Sequence, residues 1–409
     1  MASWNRSREL AQVVDIARLY FEEGKTQKDI SECLGIPQAT ISRLLQRASD
    51  EGIVRHIISP PRLFGLQTEV LKKLRSKGIR EVRVVLGTSS MEDKKNIENP
   101  DKNTANLGAH GAEYLWDLLS QHTGEQVTIG MACGDTLAAL VRHFVNYLQD
   151  DFSARKELQN KTIRLYPLNL FWERELESTI YPPALVVAFG TQLTALGCKV
   201  HAFVPQPPID FYEAYDTIFC TIDKNKCKQP ADQKQVHKQI HKYIYYLQKQ
   251  IDGYVEYLNQ AKNADIFLLG IGAYINDEKY MHVLKESYNY NNDKKAICVL
   301  NESSNESDGK SIDLENESEE KKFLDLETVA GEINYQPFTY DGEFYTLRRF
   351  LTVTAKDLIA IAGNPAKKVI AVAGGESKKS AVLASLKCNP PYNVLITDEC
   401  VGQHLYDTL

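Results

Sequence analysis

The first fifty residues are patterned with a helical period. Leu10, Val13, Val14, Ala17 and the run Leu19-Tyr20-Phe21 recur at three- and four-residue spacing and stop before Gly24, which predicts an amphipathic helix. Thr26 then precedes a second periodic stretch, with Asp29 three positions on, the spacing of a capping box; that helix runs to Leu34. Gly35-Ile36-Pro37 breaks it, and a third helix spans 38–51 before Gly52. Residues 53–58 read as a short strand, and Ser59-Pro60-Pro61 as a linker. Residues 64–77 predict one more helix, with Leu66, Val70, Leu71 and Leu74 on one face. Beyond it the pattern changes. Short apolar runs at 82–86, 127–130, 163–165, 200–204, 266–269, 297–300, 369–373 and 394–396 read as strands, separated by helical patterns. Such alternation predicts an α/β domain around a mostly parallel sheet.

Three stretches interrupt this rhythm and read as insertions. Residues 91–104 are polar and turn-rich; 224–249 carry seven lysines and one acid; 301–322 are low-complexity, acidic and read as a disordered loop. The expected organisation is a helical domain over 1–62 and an α/β domain over 63–409. A length of 409 residues suits two or three domains at roughly 150 residues each.

Charge changes the picture only when it is localised. The net charge of −6 argues at first against nucleic acid, yet residues 1–62 hold nine basic and eight acidic side chains, and 301–322 alone carry eight acids against three bases. Eight cysteines, none in a CxxC pair, read as reduced thiols rather than a disulfide framework or a zinc site. His237 and His241 lie four apart on a helical pattern with no third ligand nearby, so they read as a solvated face. No run reaches the about 18 apolar residues of a membrane span, and the N-terminus lacks the apolar core of a secretory signal. The sequence therefore reads as cytoplasmic, without membrane partner, metal or cofactor.

The most specific chemistry lies in 27–45. Two helices crossing steeply need a small residue at the contact, which Ser31 supplies, and a turn tolerant of positive φ, which Gly35 supplies. Ile30, Leu34, Ile36, Ile41 and Leu44 are spaced to be buried. Gln38, Ala39, Thr40, Ser42, Arg43 and Arg47 then face outward from the second helix. Short polar side chains at a helix start can approach base edges; Arg43 suits guanine or phosphate, and Arg47 phosphate. Operator DNA is the expected partner, and a dimer or tetramer would multiply the phosphate contacts.

In the second domain several strand candidates run into glycine. Residues 127–137 read as strand, loop and helix start around Gly134 and Thr136; 266–272 end in Gly270 and Gly272; 369–373 run into Gly374-Gly375, with Lys378 just beyond. Strand ends of this kind in an open α/β sheet hold ligands, and backbone N–H groups with one lysine suit an anion. The expected ligand is a phosphorylated small molecule.

The chain resembles the SorC family of transcriptional regulators, also called the SorC/DeoR type. The resemblance rests on the helix-turn-helix, on Gly134 to Leu137 and Gly270 to Gly272, and most clearly on the C-terminal third. That third contains Ala330-Gly331-Glu332-Ile333, Asp341-Gly342, Ala373-Gly374-Gly375 with Lys378, and Asn393-Val394-Leu395-Ile396-Thr397-Asp398-Glu399. It implies an effector domain with the fold of ribose-5-phosphate isomerase and glucosamine-6-phosphate deaminase, a Rossmann-type parallel sheet, binding a phosphorylated sugar that sets the DNA affinity of a homo-oligomer. By position, Gly134 and Thr136 would hold phosphate, Gly270 and Gly272 would line the pocket, Glu332 would bond sugar hydroxyls, and Lys378 would meet an anionic group. The chain departs from the family pattern at two effector-loop positions. Asp135 stands where a basic or neutral residue is usual, and Asn169 is followed by Leu170-Phe171 rather than glycines.

Two other readings compete. An isomerase or deaminase would need an acid/base pair, for which Glu332, Asp341, Asp398 and Glu399 are the candidates, although turn carboxylates often only cap helices. A fused helix-turn-helix favours sensing over catalysis, so no catalytic residue is assigned. The other reading is a regulator whose changed pocket answers to a nucleotide or a protein signal.

Overall fold

The computed structural model describes residues 2–54, 61–87, 100–169, 182–204, 254–273, 290–291, 296–299, 322–345 and 352–409. The chain divides into two compact units, Met1–Ser59 and Pro60–Leu409. The insertion expected at 224–249 lies outside the described residues, as do His237 and His241 within it; so do 301–321 of the acidic stretch and 55–58 of the short strand.

The first unit contains α1 (Ala2–Phe21), α2 (Gln27–Leu34) and α3 (Gln38–Asp50). Thr26 and Asp29 form the expected box. The Thr26 hydroxyl accepts from the Asp29 N–H at 3.2 Å, and the Asp29 carboxylate accepts from the Thr26 N–H at 3.0 Å. The core is small. Ile16, Ile30, Ile41 and Leu45 form one buried cluster, and Val13, Ala17 and Ala48 another. Two expectations shift here. Leu34 and Leu10 are 43% and 38% exposed, and Ile16 takes the central place in the α1 stripe. Leu34 ends α2 beside the Gly35 turn and stays exposed. Ile53 and Val54 form a bend packed against the second cluster rather than a strand.

The second unit is built on a seven-stranded sheet. Its strands are β1 (Glu81–Val85), β2 (Gln126–Met131), β3 (Thr162–Pro167), β4 (Lys199–Ala202), β5 (Ile266–Gly270), β12 (Lys368–Val372) and β13 (Val394–Asp398), in the order β1-β13-β12-β5-β2-β3-β4. Every neighbouring pair is parallel. The pattern explains the order: β5 and β13, flanked by strands on both sides, are near-continuous apolar runs, whereas the edge strand β1 alternates in burial. Helices α4 (Phe64–Leu74), α5 (Pro100–Gln121), α6 (Asp135–Asp150), α7 (Phe152–Gln159), α8 (Pro182–Ala195), α9 (Tyr254–Lys262), α10 (Ala355–Gly363), α11 (Lys379–Ser385) and α12 (Glu399–Thr408) accompany the sheet. Val70 and Leu74 of α4 are buried, as its stripe predicts. Helix α5 begins at Pro100, so residues 100–104 of the expected insertion are helical, and 91–99 lie outside the described residues.

Two small antiparallel sheets complete the unit. One joins β6 (Gly272–Ala273), β10 (Val329–Ile333) and β11 (Gln336–Thr339); the other joins β7 (Tyr290–Asn291), β8 (Ala296–Val299) and β9 (Lys322–Asp325). The apolar run at 297–300 therefore belongs to a side sheet rather than to the parallel one. A run of four cannot announce which neighbour it will pair with.

Candidate functional site

In the first unit, Gly35 takes φ 65°, the left-handed conformation that ends α2, and the Ser31 hydroxyl donates to the Ile36 carbonyl at 2.6 Å. Ser31 thus bonds the turn from inside the angle between α2 and α3. The two helices make the expected shape, with Gln38, Ala39, Ser42 and Arg43 exposed on α3 and Thr40 half-buried. Arg43 is exposed and has no ion-pair partner among the described residues. Arg47 differs: its Nε donates to Glu51 at 2.7 Å, and its Nη1 lies 3.7 Å from Glu9. These carboxylates hold Arg47 along its own bundle, so it must leave them to meet a phosphate. Two residues that the sequence reading passed over stand beside the start of α3. Lys25 and Lys28 line a concavity together with Thr26 and Gln38. The legible signal was the position of both lysines just before and within the first turn of α2.

In the second unit the geometry centres on β2 and β5. From β2 the chain proceeds outward through β3 to β4; from β5 it proceeds the other way, through β12 to β13. Adjacent strands whose connections diverge leave a crevice at their carboxyl ends, where open α/β sheets hold ligands. The loop after β2 carries Gly134, at φ 117° and ψ 161°, and no side chain caps the α6 start that follows it. Asp135 is exposed and Thr136 buried at the first turn of that helix. The loop after β5 lies against it: a Cβ on Gly270 would come within 3.2 Å of the Cys133 carbonyl oxygen.

Glu332 reaches the same edge by strand pairing. Gly272 on β6 is its register partner on β10. A Cβ at 272 would sit 2.5 Å from Glu332 Oε1, so the glycine makes room for that carboxylate. Glu332 Oε2 also accepts from the Tyr335 N–H at 2.7 Å, across the tight turn joining β10 to β11. The short helical turn Glu376–Lys378, which follows β12 and Gly374-Gly375, contacts β6 and brings half-buried Lys378 to this region. Gly134, Asp135, Thr136, Gly270, Gly272, Glu332 and Lys378 thus gather at the carboxyl edge.

Asn169 is placed differently. It is 1% exposed at the end of β3, bridges Thr352, and its amide donates to the Asn334 carbonyl at 3.3 Å. Asn334 in turn donates to Thr352 Oγ1, at 2.8 Å, and to the carbonyls of Leu168 and Val353. Asn169 therefore fastens the turn that carries Glu332 and Tyr335.

Asp398 is the residue whose weight sequence reading underestimated. It is 1% exposed at the end of β13. Its Oδ2 accepts from the Gly375 N–H at 2.6 Å and from Asn103 Nδ2 at 2.7 Å, and its Oδ1 accepts from the Val401 N–H at 3.0 Å, capping α12. The capping alternative holds for Asp398, and the carboxylate also anchors the Gly374-Gly375 loop. Asn103 was hidden in a stretch that read as an insertion. Asp341 and Glu399, the other two carboxylates weighed for acid/base work, are exposed.

Nearby, Cys400 donates to Glu376 at 2.9 Å, and Lys379 pairs with Glu376 at 2.6 Å. Burial, then the Glu376 contact, push the Cys400 thiol up to about 12. It stays protonated at neutral pH and is a poor nucleophile.

Comparison with known proteins finds a match in each of the two units. A family model described as "Putative sugar-binding domain" matches residues 305–405, and one described as "Sigma-70, region 4" matches residues 15–50. The chain is 32% identical over 138 residues to the sorbitol operon regulator of Klebsiella pneumoniae, and 29% identical over 138 residues to the transcriptional regulator LsrR of Enterobacter sp. strain 638. These alignments span 34% and 33% of this chain and 39% and 38% of the relatives. The crystal structure of the full-length sorbitol operon regulator SorC from Klebsiella pneumoniae superposes with a TM-score of 0.55 at 19% identity, covering 97% of this chain and 98% of that one. The fold expected from the resemblance, a helical N-terminal unit and a parallel-sheet α/β unit, is borne out. So is the resemblance to SorC-type regulators.

Proposed function

We propose that this chain is a SorC-type DNA-binding transcriptional regulator whose operator affinity is set by a small phosphorylated sugar held at the carboxyl edge of the parallel sheet. The observation that carries the reading is the convergence of three glycine-bearing strand ends, Glu332 and Lys378 at a divergent-connection crevice, in a chain that also contains a helix-turn-helix. In this reading the backbone around Gly134 and the Thr136 hydroxyl receive the phosphate, Gly270 and Gly272 let the backbone approach the sugar, Glu332 accepts from its hydroxyls, and Lys378 neutralises an anionic group. Asp135, exposed beside the phosphate loop, disfavours a second negative charge there and selects how the ligand lies. Asn169 acts through the turn it fastens.

On the DNA side, Gln38, Thr40 and Ser42 face base edges, Arg43 meets guanine or phosphate, and Arg47 meets phosphate after releasing Glu51. A homo-oligomer, dimer or tetramer, repeats these contacts on a symmetric operator. Among the described residues no helix is long and apolar enough to cross a membrane. The curated relatives named above are transcriptional regulators, and we read this chain as a sensor rather than an enzyme. The engagement of Asp398 with three N–H donors supports that choice, because both of its oxygens are occupied in holding the Gly375 loop, Asn103 and the start of α12.

The mechanism is linkage. The effector changes DNA affinity only through its different affinities for two arrangements of the protein, and DNA changes effector affinity by the same factor. A thermal-shift screen of the full chain against phosphorylated sugars, with unphosphorylated sugars and nucleotides alongside, tests the ligand half. A ligand at 100 times its dissociation constant stabilises the native state by about 2.7 kcal/mol. A shift with a sugar phosphate that Lys378→Ala abolishes is expected; a shift only with nucleotides would replace the sugar in this reading. Arg43→Ala tests the other half, and is expected to weaken operator binding while leaving that thermal shift unchanged.

A further inference from the structure

Residues 61–63, at the start of the second unit, are fastened to the parallel sheet at the row of Asp398. Residues 61–63 lie antiparallel to the outer edge of β1. Leu63 N–H donates to the Val84 carbonyl at 2.7 Å, Leu86 N–H donates to the Pro61 carbonyl at 3.0 Å, and Arg62 bridges Val85. Val85 is the register partner of Asp398 across β1 and β13. Asp398 in turn holds the N–H of Gly375 and the amide of Asn103. One row therefore runs from the Gly374-Gly375 loop, through a buried carboxylate and two strands, to the strap that leads toward the helix-turn-helix.

A second route follows the same direction. Asp398 caps α12 through Val401, and α12 packs on α4, the helix that begins immediately after the strap. The fit is close: a Cβ on Gly402 would fall 2.9 Å from Val84 Cγ1 and 3.3 Å from Leu66 Cδ2. Lys73 of α4 also lies over the ring of Tyr406 at 5.0 Å, and Arg62 over Phe64 at 4.9 Å. An element packed this tightly shifts as a unit rather than deforming gradually.

We propose that the 61–63 strap is the output of the effector unit and that Asp398 is the positioning residue that couples it to the Gly374-Gly375 loop. The proposal deepens the effector reading above and rests on it for the identity of the input. Loop movement alters the Gly375–Asp398 bond. The change reaches Val85 across the β13–β1 ladder, and the strap is held or released along the β1 edge.

The test is native-state hydrogen exchange on the full chain without any ligand, so failure of the coupling is distinguishable from failure of the effector reading. In Asp398→Asn one carboxylate oxygen becomes an amide donor facing donors. The Leu63 and Leu86 amides are expected to exchange faster by on the order of tenfold, while Phe203 N–H, bonded to Leu165 O near the opposite sheet edge, keeps its rate. Leu63→Pro, which removes the strap's N–H donor to Val84 at a half-buried site, supplies the reciprocal: the Gly375 amide, bonded to Asp398, should exchange faster by a similar factor. A purely structural role for Asp398 does not produce that reverse effect. Acceleration confined to Gly375 and Val401 in the first variant, uniform acceleration that includes Phe203, or an unchanged Gly375 amide in the second would overturn the proposal.

Discussion

The two units solve the placing of a functional surface at opposite ranges of sequence. In the helix-turn-helix, the caps and the turn that set the exposed face of α3 act within a few residues: Thr26 with Asp29, Ser31 with Ile36, Gly35 at the end of its own helix. In the α/β unit, the carboxyl edge is assembled from Gly134, Gly272, Glu332, Lys378 and Asp398, which meet only once β5 lies beside β2 and β10 has paired with β6. The first surface is thus exposed to loss through its small core, the second through loss of fit between distant loops.

The largest difference is expected from Ile41→Ala. Ile41 is fully buried in a cluster whose other buried members are Ile16, Ile30 and Leu45. The loss should be about 2–5 kcal/mol, enough to unfold a unit of this size. Operator binding should vanish while the far-UV signal and thermal transition of the α/β unit persist. A single transition that moves as a whole would break the contrast between the units.

Gly272→Ala comes next. Its Cβ collides with the Glu332 carboxylate, which the Tyr335 N–H holds in place, so overpacking should cost about 1–3 kcal/mol and displace Glu332. Isothermal titration with whichever sugar phosphate shifts the wild type should show at least a tenfold weaker affinity, with DNA affinity in the absence of ligand retained. Equal affinity in the variant would remove Glu332 from the site.

Thr26→Ala is smaller, about 1 kcal/mol, because it removes one half of an exposed capping box. Its effect should appear as fraying of α2 in circular dichroism and a modest loss of operator affinity. A mild acid titration separates the units further. Burial opposes the charged form of Glu81, but Lys368 and Tyr114 outweigh it and hold the carboxyl below its ordinary value. The stability this contributes is present above the unfolded-state value of ~4.3 and is lost as pH falls through the lower folded value. Glu81→Gln should flatten the acid limb of the α/β transition only. The smallest effect is chemical: at pH 8 a thiol-alkylating reagent should label exposed Cys33 well before Cys400, whose proton is held by burial and Glu376.

The same contrast explains what could be read from the residues. Cap, turn and buried face of α2 and α3 are local, and the sequence announces them directly; Leu34 escaped because periodicity marks a face without saying whether anything covers it. All eight apolar runs became strands, because short buried runs bounded by turns have few alternatives. Their partners were another matter. The run at 297–300 went to a side sheet, and β6, β10 and β11, the small sheet that carries Glu332, had no alternation long enough to register. Asn169 and Asp398 show the limit most clearly. Each is a polar residue at a strand end, and only the packed structure separates a residue that lines a crevice from one that fastens its walls.

In the proposed linkage, ligand at the sheet edge governs affinity at the helix-turn-helix. The direct measurement is operator-DNA affinity by fluorescence anisotropy, at fixed salt, with and without a saturating concentration of the sugar phosphate that raises the melting temperature. The expected change in the dissociation constant is about 5- to 150-fold, matched by an equal change in ligand affinity when DNA is saturating. A ligand that binds and melts out as expected, yet leaves DNA affinity the same, would contradict it.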